Sequence, residues 1–245
     1  MSGAQRRPAR VWVRWGWMTW LDYWLAGWWG IRAWFTRRPP ARWSEGSRDP
    51  VVLLPGVYEQ WSYLLRVGAR LHDDGHPVHV VPALRRNVAP IPRSAAIVRE
   101  RLEQLDLRGV ALVAHSKGGL IGKHVLAFDD PDARVRCLVA IATPFSGSVM
   151  ADYMVVPALR AFRRTDPVIV ALTGQTGPDA RITAIAAEFD AHIPAGATLP
   201  GGSNVSVPVV GHFRMLQHPA VIDAVVEAVD RAEHAGHRTE PNGME

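Results

Sequence analysis

The sequence has one cysteine in 245 residues, Cys137. A disulfide framework and a cysteine-based zinc site are both excluded, and the lone thiol reads as a small core residue. Most of the chain also lacks any surplus of positive charge. The net +5 belongs to residues 1–50, where nine Arg face Asp22, Glu45 and Asp49. Residues 51–245 hold nineteen bases and twenty acids, which argues against nucleic acid as a partner. Tryptophan is just as unevenly spread: nine of ten lie between Trp12 and Trp43, and Trp61 alone lies beyond. No internal repeat is found. With 48% hydrophobic and 21% charged residues the chain is no disordered polymer. The expected organisation is a Trp/Arg-rich N-terminal helix and Pro-rich linker over 1–48, one α/β domain over 49–235, and a disordered tail over 236–245.

The body alternates short apolar runs with helical stretches. Val51 to Pro55, Pro77 to Ala83, Val110 to Ala114, Cys137 to Ala142, Ile182 to Ala186 and Val205 to Val210 read as six strands. Helices are expected from Gln60 to Leu71, from an N-cap at Ser94 to Leu105, from Gly118 to Phe128, and from Ala220 to Ala232. Strands joined by helices call for a mostly parallel sheet of about six strands, covered on both faces. The interval from Pro144 to Arg181 is long for a crossover, and its apolar stretch Met150 to Phe162 suits a short lid segment.

Three strand ends carry reactive residues. In Val113-Ala-His-Ser-Lys-Gly-Gly119 a strand runs straight into Ser116 and then into a helix. A nucleophilic serine needs such a sharp turn, and Ala114 and Gly118, two residues to either side, give it room. Asp190 stands just past the fifth strand as the candidate acid, with Glu188, earlier and within the strand, as its competitor. His212 follows the sixth strand and Gly211. Serine, acid and histidine in that chain order, at successive strand ends, suit a nucleophile, an orienting acid and a general base. His115 adjoins Ser116 but points to the opposite face, so it is not the expected base. The loop Leu53-Leu-Pro-Gly-Val-Tyr-Glu59 offers the Val57 N–H and the new helix offers the Lys117 N–H as oxyanion donors. Tyr58, Met150, Tyr153 and Met154 are the candidate substrate-binding side chains.

Taken together, Leu-Pro-Gly-Val after the first strand, Ala-His-Ser-Lys-Gly-Gly at the turn, Ala142-Thr-Pro-Phe-Ser-Gly-Ser148, Phe189-Asp-Ala-His-Ile-Pro194 and Val210-Gly-His-Phe213 resemble the α/β-hydrolase superfamily. The likeness runs from Val51 to Val229 and is strongest to compact bacterial lipases and esterases. It implies a serine hydrolase that needs no metal and no cofactor and cleaves a small-molecule or lipid ester. Two positions depart from the pattern: Ala114 replaces the commoner first glycine of the turn, and Pro55 stands where many relatives have histidine. An acyltransferase would use the same triad, and a catalytically silent binding module is the rival from another class.

Val11 to Phe35 would span about 37 Å as a helix. Arg14, Asp22 and Arg32 interrupt it, and an Asp at the bilayer centre costs about 3 kcal/mol. Trp17, Trp20, Trp24 and Trp28 share one stripe, with Arg6, Arg7, Arg10, Arg37 and Arg38 at the flanks. That pattern suits a helix lying on an anionic membrane surface. Packing of the stripe on the body is the alternative, and spanning or export the lesser ones. A cytoplasmic, peripherally membrane-associated protein is expected.

Overall fold

Every side chain of Val51-Val-Leu-Leu54 is buried, because the strand they form is covered on both faces. In this computed structural model residues 38–239 are described, together with Leu21, Asp22, Trp24, Gly27 and Trp28. Six strands form one sheet: β1 (Val51–Leu54), β2 (Val78–Val80), β3 (Val110–His115), β4 (Val135–Ile141), β5 (Ile182–Phe189) and β6 (Ser203–Val210). Their order is β2-β1-β3-β4-β5-β6. All neighbouring pairs are parallel, with Val51 opposite both Val78 and Ala111.

Side-chain alternation splits the core into two layers. Val51 and Leu53 point to one face of the sheet and Val52 and Leu54 to the other. The first face is covered by α1 (Leu65–Asp73) and α6 (Pro219–Thr239), through Val67, Leu71, Val221 and Val225. On the second lie α2 (Ile91–Gln104), α3 (Lys117–His124) and α5 (Pro167–Gly174), through Val98, Leu120 and Leu172. The chain steps outward from β1 to β2 and then returns past β1 to β3. The strand order thus reverses between β1 and β3, and the crevice beyond their carboxyl ends is where an open α/β sheet presents its ligand site.

Several elements differ from the sequence expectation. Helix α2 begins at Ile91 after Pro90, with a further proline in its first turn, a position where the missing N–H costs nothing. Ser94 is therefore inside the helix, buried, and its hydroxyl donates to Asn87 Oδ1 at 3.3 Å. Helix α6 runs on to Thr239, well into the expected tail; residues 240–245 lie outside the described set. The stretch Met150 to Phe162 folds as a 3₁₀ turn over Val149–Tyr153 and the short α4 (Pro157–Arg160), with Ala151 and Phe162 buried beneath. Cys137 is a core residue as read, and burial pushes its thiol up to about 12.

The stretch expected to be a linker is pinned to the body. Trp43, on a 3₁₀ turn over Ala41–Ser44, is only 2% exposed and meets Trp61 edge to face at 5.7 Å. It packs against Gly68, where a Cβ would stand 2.7 Å from the indole. Arg48 pairs with Asp230 and Glu233 on α6. Of the Trp-rich helix, most lies outside the described residues. Leu21, Asp22, Trp24, Gly27 and Trp28 are helical, and Asp22 is buried against the body rather than interrupting a lipid-facing surface. No helix among the described residues is long and apolar enough to cross a membrane.

Trp43→Ala should therefore cost about 3–5 kcal/mol, the usual penalty for emptying a large aromatic site. A urea titration should show the lower midpoint with an unchanged slope. A change below about 1 kcal/mol would mean that residues 38–50 only rest on the body.

Candidate active site

Strand β3 ends at His115, and Ser116 then takes φ 51° and ψ −117°, a conformation that costs a non-glycine residue about 1–3 kcal/mol. Three hydrogen bonds hold it there. The Ser116 N–H donates to Ile141 O at 2.9 Å, and its carbonyl accepts from the Gly119 N–H at 3.1 Å and from Thr143 Oγ1 at 3.0 Å. Helix α3 starts at once, so it presses on what lies beside it. A Cβ on Gly118 would collide with the Leu54 carbonyl, and one on Gly119 with the Thr143 hydroxyl. Both glycines are required by close approach, and Thr143 of the Ala-Thr-Pro motif is the brace of the turn. The Lys117 amide, first in α3, belongs to the group that a helix leaves without an intrahelical partner.

Past β6, Gly211 sits at φ 118° and leads into His212, which is nearly fully buried. The His212 Nδ1–H donates to Asp190 Oδ2 at 2.6 Å, and the His192 backbone N–H donates to Asp190 Oδ1 at 2.8 Å. Burial alone would raise the Asp190 carboxyl. The positive charge that His212 carries when protonated, with the hydrogen bonds from His192 and His212, outweighs burial and holds the group well below the usual carboxylate range. Burial lowers His212, and His115 and His192 push the same way; the Asp190 carboxylate opposes them without prevailing. Its surroundings thus favour the neutral imidazole, with the Nδ1–H directed at Asp190. Glu188 lies within β5 and is exposed, whereas Asp190 is buried and hydrogen-bonded to the histidine.

Beneath these groups lies a layer that the sequence does not announce. His115 is fully buried, with Nδ1 2.8 Å from Glu59 Oε1 and Nε2 3.3 Å from the His212 carbonyl. Acceptors on both sides ask for a proton on each ring nitrogen. Burial disfavours that charge, but Glu59 more than restores it, and the His115 pKa is raised. The other Glu59 oxygen accepts the Gly56 N–H at 2.7 Å, and a Cβ on Gly56 would strike that carboxylate. Lys117 turns its side chain away from the turn, donating to the Asn87 carbonyl at 2.8 Å and to that of Ala89. Burial lowers its pKa to about 8. Asn87 Nδ2 in turn donates to Pro55 O at 2.7 Å. Pro55 and Gly56 are thereby clamped, which sets the direction of the Val57 amide. The signal for Glu59 was its place three residues after Gly56; nothing in the sequence pairs it with His115.

Ser116, His212 and Val57 line a single cavity of about 410 Å³, whose remaining wall is mostly apolar. Tyr58, Met150 and Met154 line it as well, joined by Leu159, Phe162 and Ile193. Tyr153 does not: it is 82% exposed, on the outer side of its 3₁₀ turn. Ser148 Oγ donates to the His192 carbonyl at 2.7 Å, tying the cavity wall to the Asp190 loop. The His192 ring lies tilted against that of His212, with centroids 4.5 Å apart. Polar atoms of Asp190, His192 and His212 fall within 4.8 Å of one another, close enough to hold a metal ion, yet hydrogen bonding within the group already accounts for their approach.

No family model matches the sequence, and no curated protein does either. Solved structures do. Aspergillus fumigatus lipase B superposes with a TM-score of 0.64 at 20% identity, over 78% of this chain and 55% of that one. This chain therefore spans little more than half the length of that lipase. The mature form of Bacillus licheniformis lipase BlEst2 gives 0.58 at 15% identity, over 78% of this chain and 94% of that one. A putative non-heme bromoperoxidase, BpoC, from Mycobacterium tuberculosis gives 0.57 at 16%, over 76% and 94%. The parallel six-stranded sheet, the strained serine at the end of β3 and these superpositions agree: the chain has the α/β-hydrolase fold.

Proposed function

We propose that the protein hydrolyses carboxylic esters, preferably with lipophilic acyl groups, through a serine acyl-enzyme. One observation carries the reading: Ser116 and His212 open into the same apolar cavity while the His212 Nδ1–H donates a hydrogen bond to a buried, ionised Asp190. Ser116 Oγ attacks the ester carbonyl carbon as His212 Nε2 takes its proton. The Val57 and Lys117 amides stabilise the oxyanion that forms. Collapse of the intermediate expels the alcohol, which leaves with the proton from His212. Water then attacks the acyl-enzyme, again losing a proton to His212, and the acid is released as Ser116 regains its hydrogen. Tyr58, Met150 and Met154 form the acyl wall, and the stretch Met150 to Phe162 acts as a short lid.

Ser116→Ala should lower kcat on p-nitrophenyl esters by about 10⁴-fold or more and abolish labelling by a fluorophosphonate. Retention of a tenth of the wild-type rate would remove Ser116 from the role. Among chain lengths, medium acyl chains should be preferred to acetate, as the apolar lining requires.

The pH dependence has a definite sign. Protonation of His212 removes the base, and its pKa is lowered from the ordinary value of about 6.5. The acid limb of kcat/KM should then have its midpoint below 6.5, where an unburied histidine would already be half charged. A midpoint above 6.5 would contradict a neutral buried base.

The same reading extends to an anionic membrane surface as the partner. Trp24 and Trp28 are 61% and 52% exposed, and Val155, which follows the cavity-lining Met154 in the chain, is 87% exposed. Vesicles containing phosphatidylserine should pull down the full-length protein, and less of it as salt rises. Trp24→Ser with Trp28→Ser should weaken that capture severalfold; equal capture of both proteins would assign the binding elsewhere.

A further inference from the structure

Resting on the triad reading above, we propose that Asp22 is a positioning residue for the general base: its carboxylate holds the backbone of the His212 loop in register with Ser116. Asp22 is 190 residues away from His212 in the chain and 1% exposed. Its Oδ2 accepts the His212 N–H at 2.8 Å and its Oδ1 accepts the Arg214 N–H at 2.8 Å. The Phe213 N–H is shared between both oxygens, at 3.1 and 3.2 Å. Three consecutive amides converging on one carboxylate form an anion-binding nest. The nest is shaped for this group: a Cβ on Gly211 would stand 2.8 Å from Oδ1.

The contact matters because of where it pulls. His212 is held at three points, and each restrains a different motion. Asp190 fixes the ring through Nδ1, His115 holds the carbonyl, and Asp22 holds the amide. Removing Asp22 leaves buried donors without an acceptor, each costing about 1–3 kcal/mol unless the loop rearranges to reach water. A loop that rearranges carries the imidazole with it. Displacement by about 1 Å is enough to slow a positioned proton transfer about 10²-fold. The effect falls on the chemical step, since Asp22 is not part of the cavity wall. A mere staple for the N-terminal segment would behave differently, affecting stability and leaving the base in place.

The test uses the full chain with Asp22→Ala and the isosteric Asp22→Asn, which keeps one acceptor oxygen. Two readouts are taken on folded protein: the fluorophosphonate labelling rate of Ser116, and the low-field proton resonance of the His212 Nδ1–H shared with Asp190. Asp22→Ala should label 10- to 100-fold more slowly than wild type, with KM for a short ester changed less than about twofold. Its low-field proton should broaden or vanish, and Asp22→Asn should fall between the two. Should Asp22→Ala fail to fold, the same criteria apply to Asp22→Asn. A folded variant with an unchanged low-field proton overturns the positioning role, whatever the labelling shows. So does a loss confined to KM. Wild-type protein that is not labelled at all overturns the hydrolase reading instead, and the resonance still decides the role of Asp22.

Discussion

A helix that leaves the sheet without a connecting loop must pass within contact distance of the neighbouring strand, and the site depends on this constraint at Ser116. The strained backbone there is affordable only because Gly118 lets α3 slide against the Leu54 carbonyl and Gly119 lets it meet Thr143. The same approach draws the loop after β1 and the loop after β4 toward the serine. Val57 and Pro144 reach the cavity as a result. Neither loop would lie there if the turn were relaxed by an inserted residue. The switch point of the sheet, with β1 and β3 as neighbours, supplies the place; the glycines supply the distance.

Two buried histidines under one roof titrate in opposite directions. His115 and His212 have ring centroids only 4.7 Å apart, and burial acts on both in the same sense. What separates them is the company of carboxylates and of each other. His115 has Glu59 on one side and a carbonyl on the other, so charge is favoured. His212 has Asp190, but it also faces His115 and His192, and two like charges so close are costly. The surroundings thus favour the charged form of His115 and the neutral form of His212. Environments that drive neighbouring groups apart in this way are a recognised route to assigning acid and base roles.

What could be read from the sequence was local. The six strands announce themselves as short apolar runs, and Ser116, Asp190 and His212 as residues just beyond three of their ends, because both signals lie within a few residues of chain. The strand ends shift by a residue or three, as at Phe189 and Ser203, where pairing continues past the apolar run. The supporting layer was not legible. Glu59 with His115, Lys117 with Asn87 and Asp22 with His212 join residues 56, 30 and 190 apart, and no periodicity spans such gaps. Trp43 was hidden for a related reason: prolines and small polar residues around it resemble a linker, and only the groove over Gly68 shows that it is core. Tyr153 shares its apolar stretch with Met150 and Met154, but the 3₁₀ turn sends it outward.

The link between Asp22 and the amides at 212 to 214 closes almost the whole chain into a loop, and so do the pairs that Arg48 makes with Asp230 and Glu233. On a ribosome adding about 5–20 residues per second, the carboxylate emerges roughly 10–40 s before its amides are made. Through that interval the central strands can already pair, since β1, β3 and β4 lie earlier in the chain than β6. The turn at Ser116 is therefore built well before the loop that carries His212. The wall that His212 shares with Ser116 is completed late, when Asp22 meets the loop that follows β6.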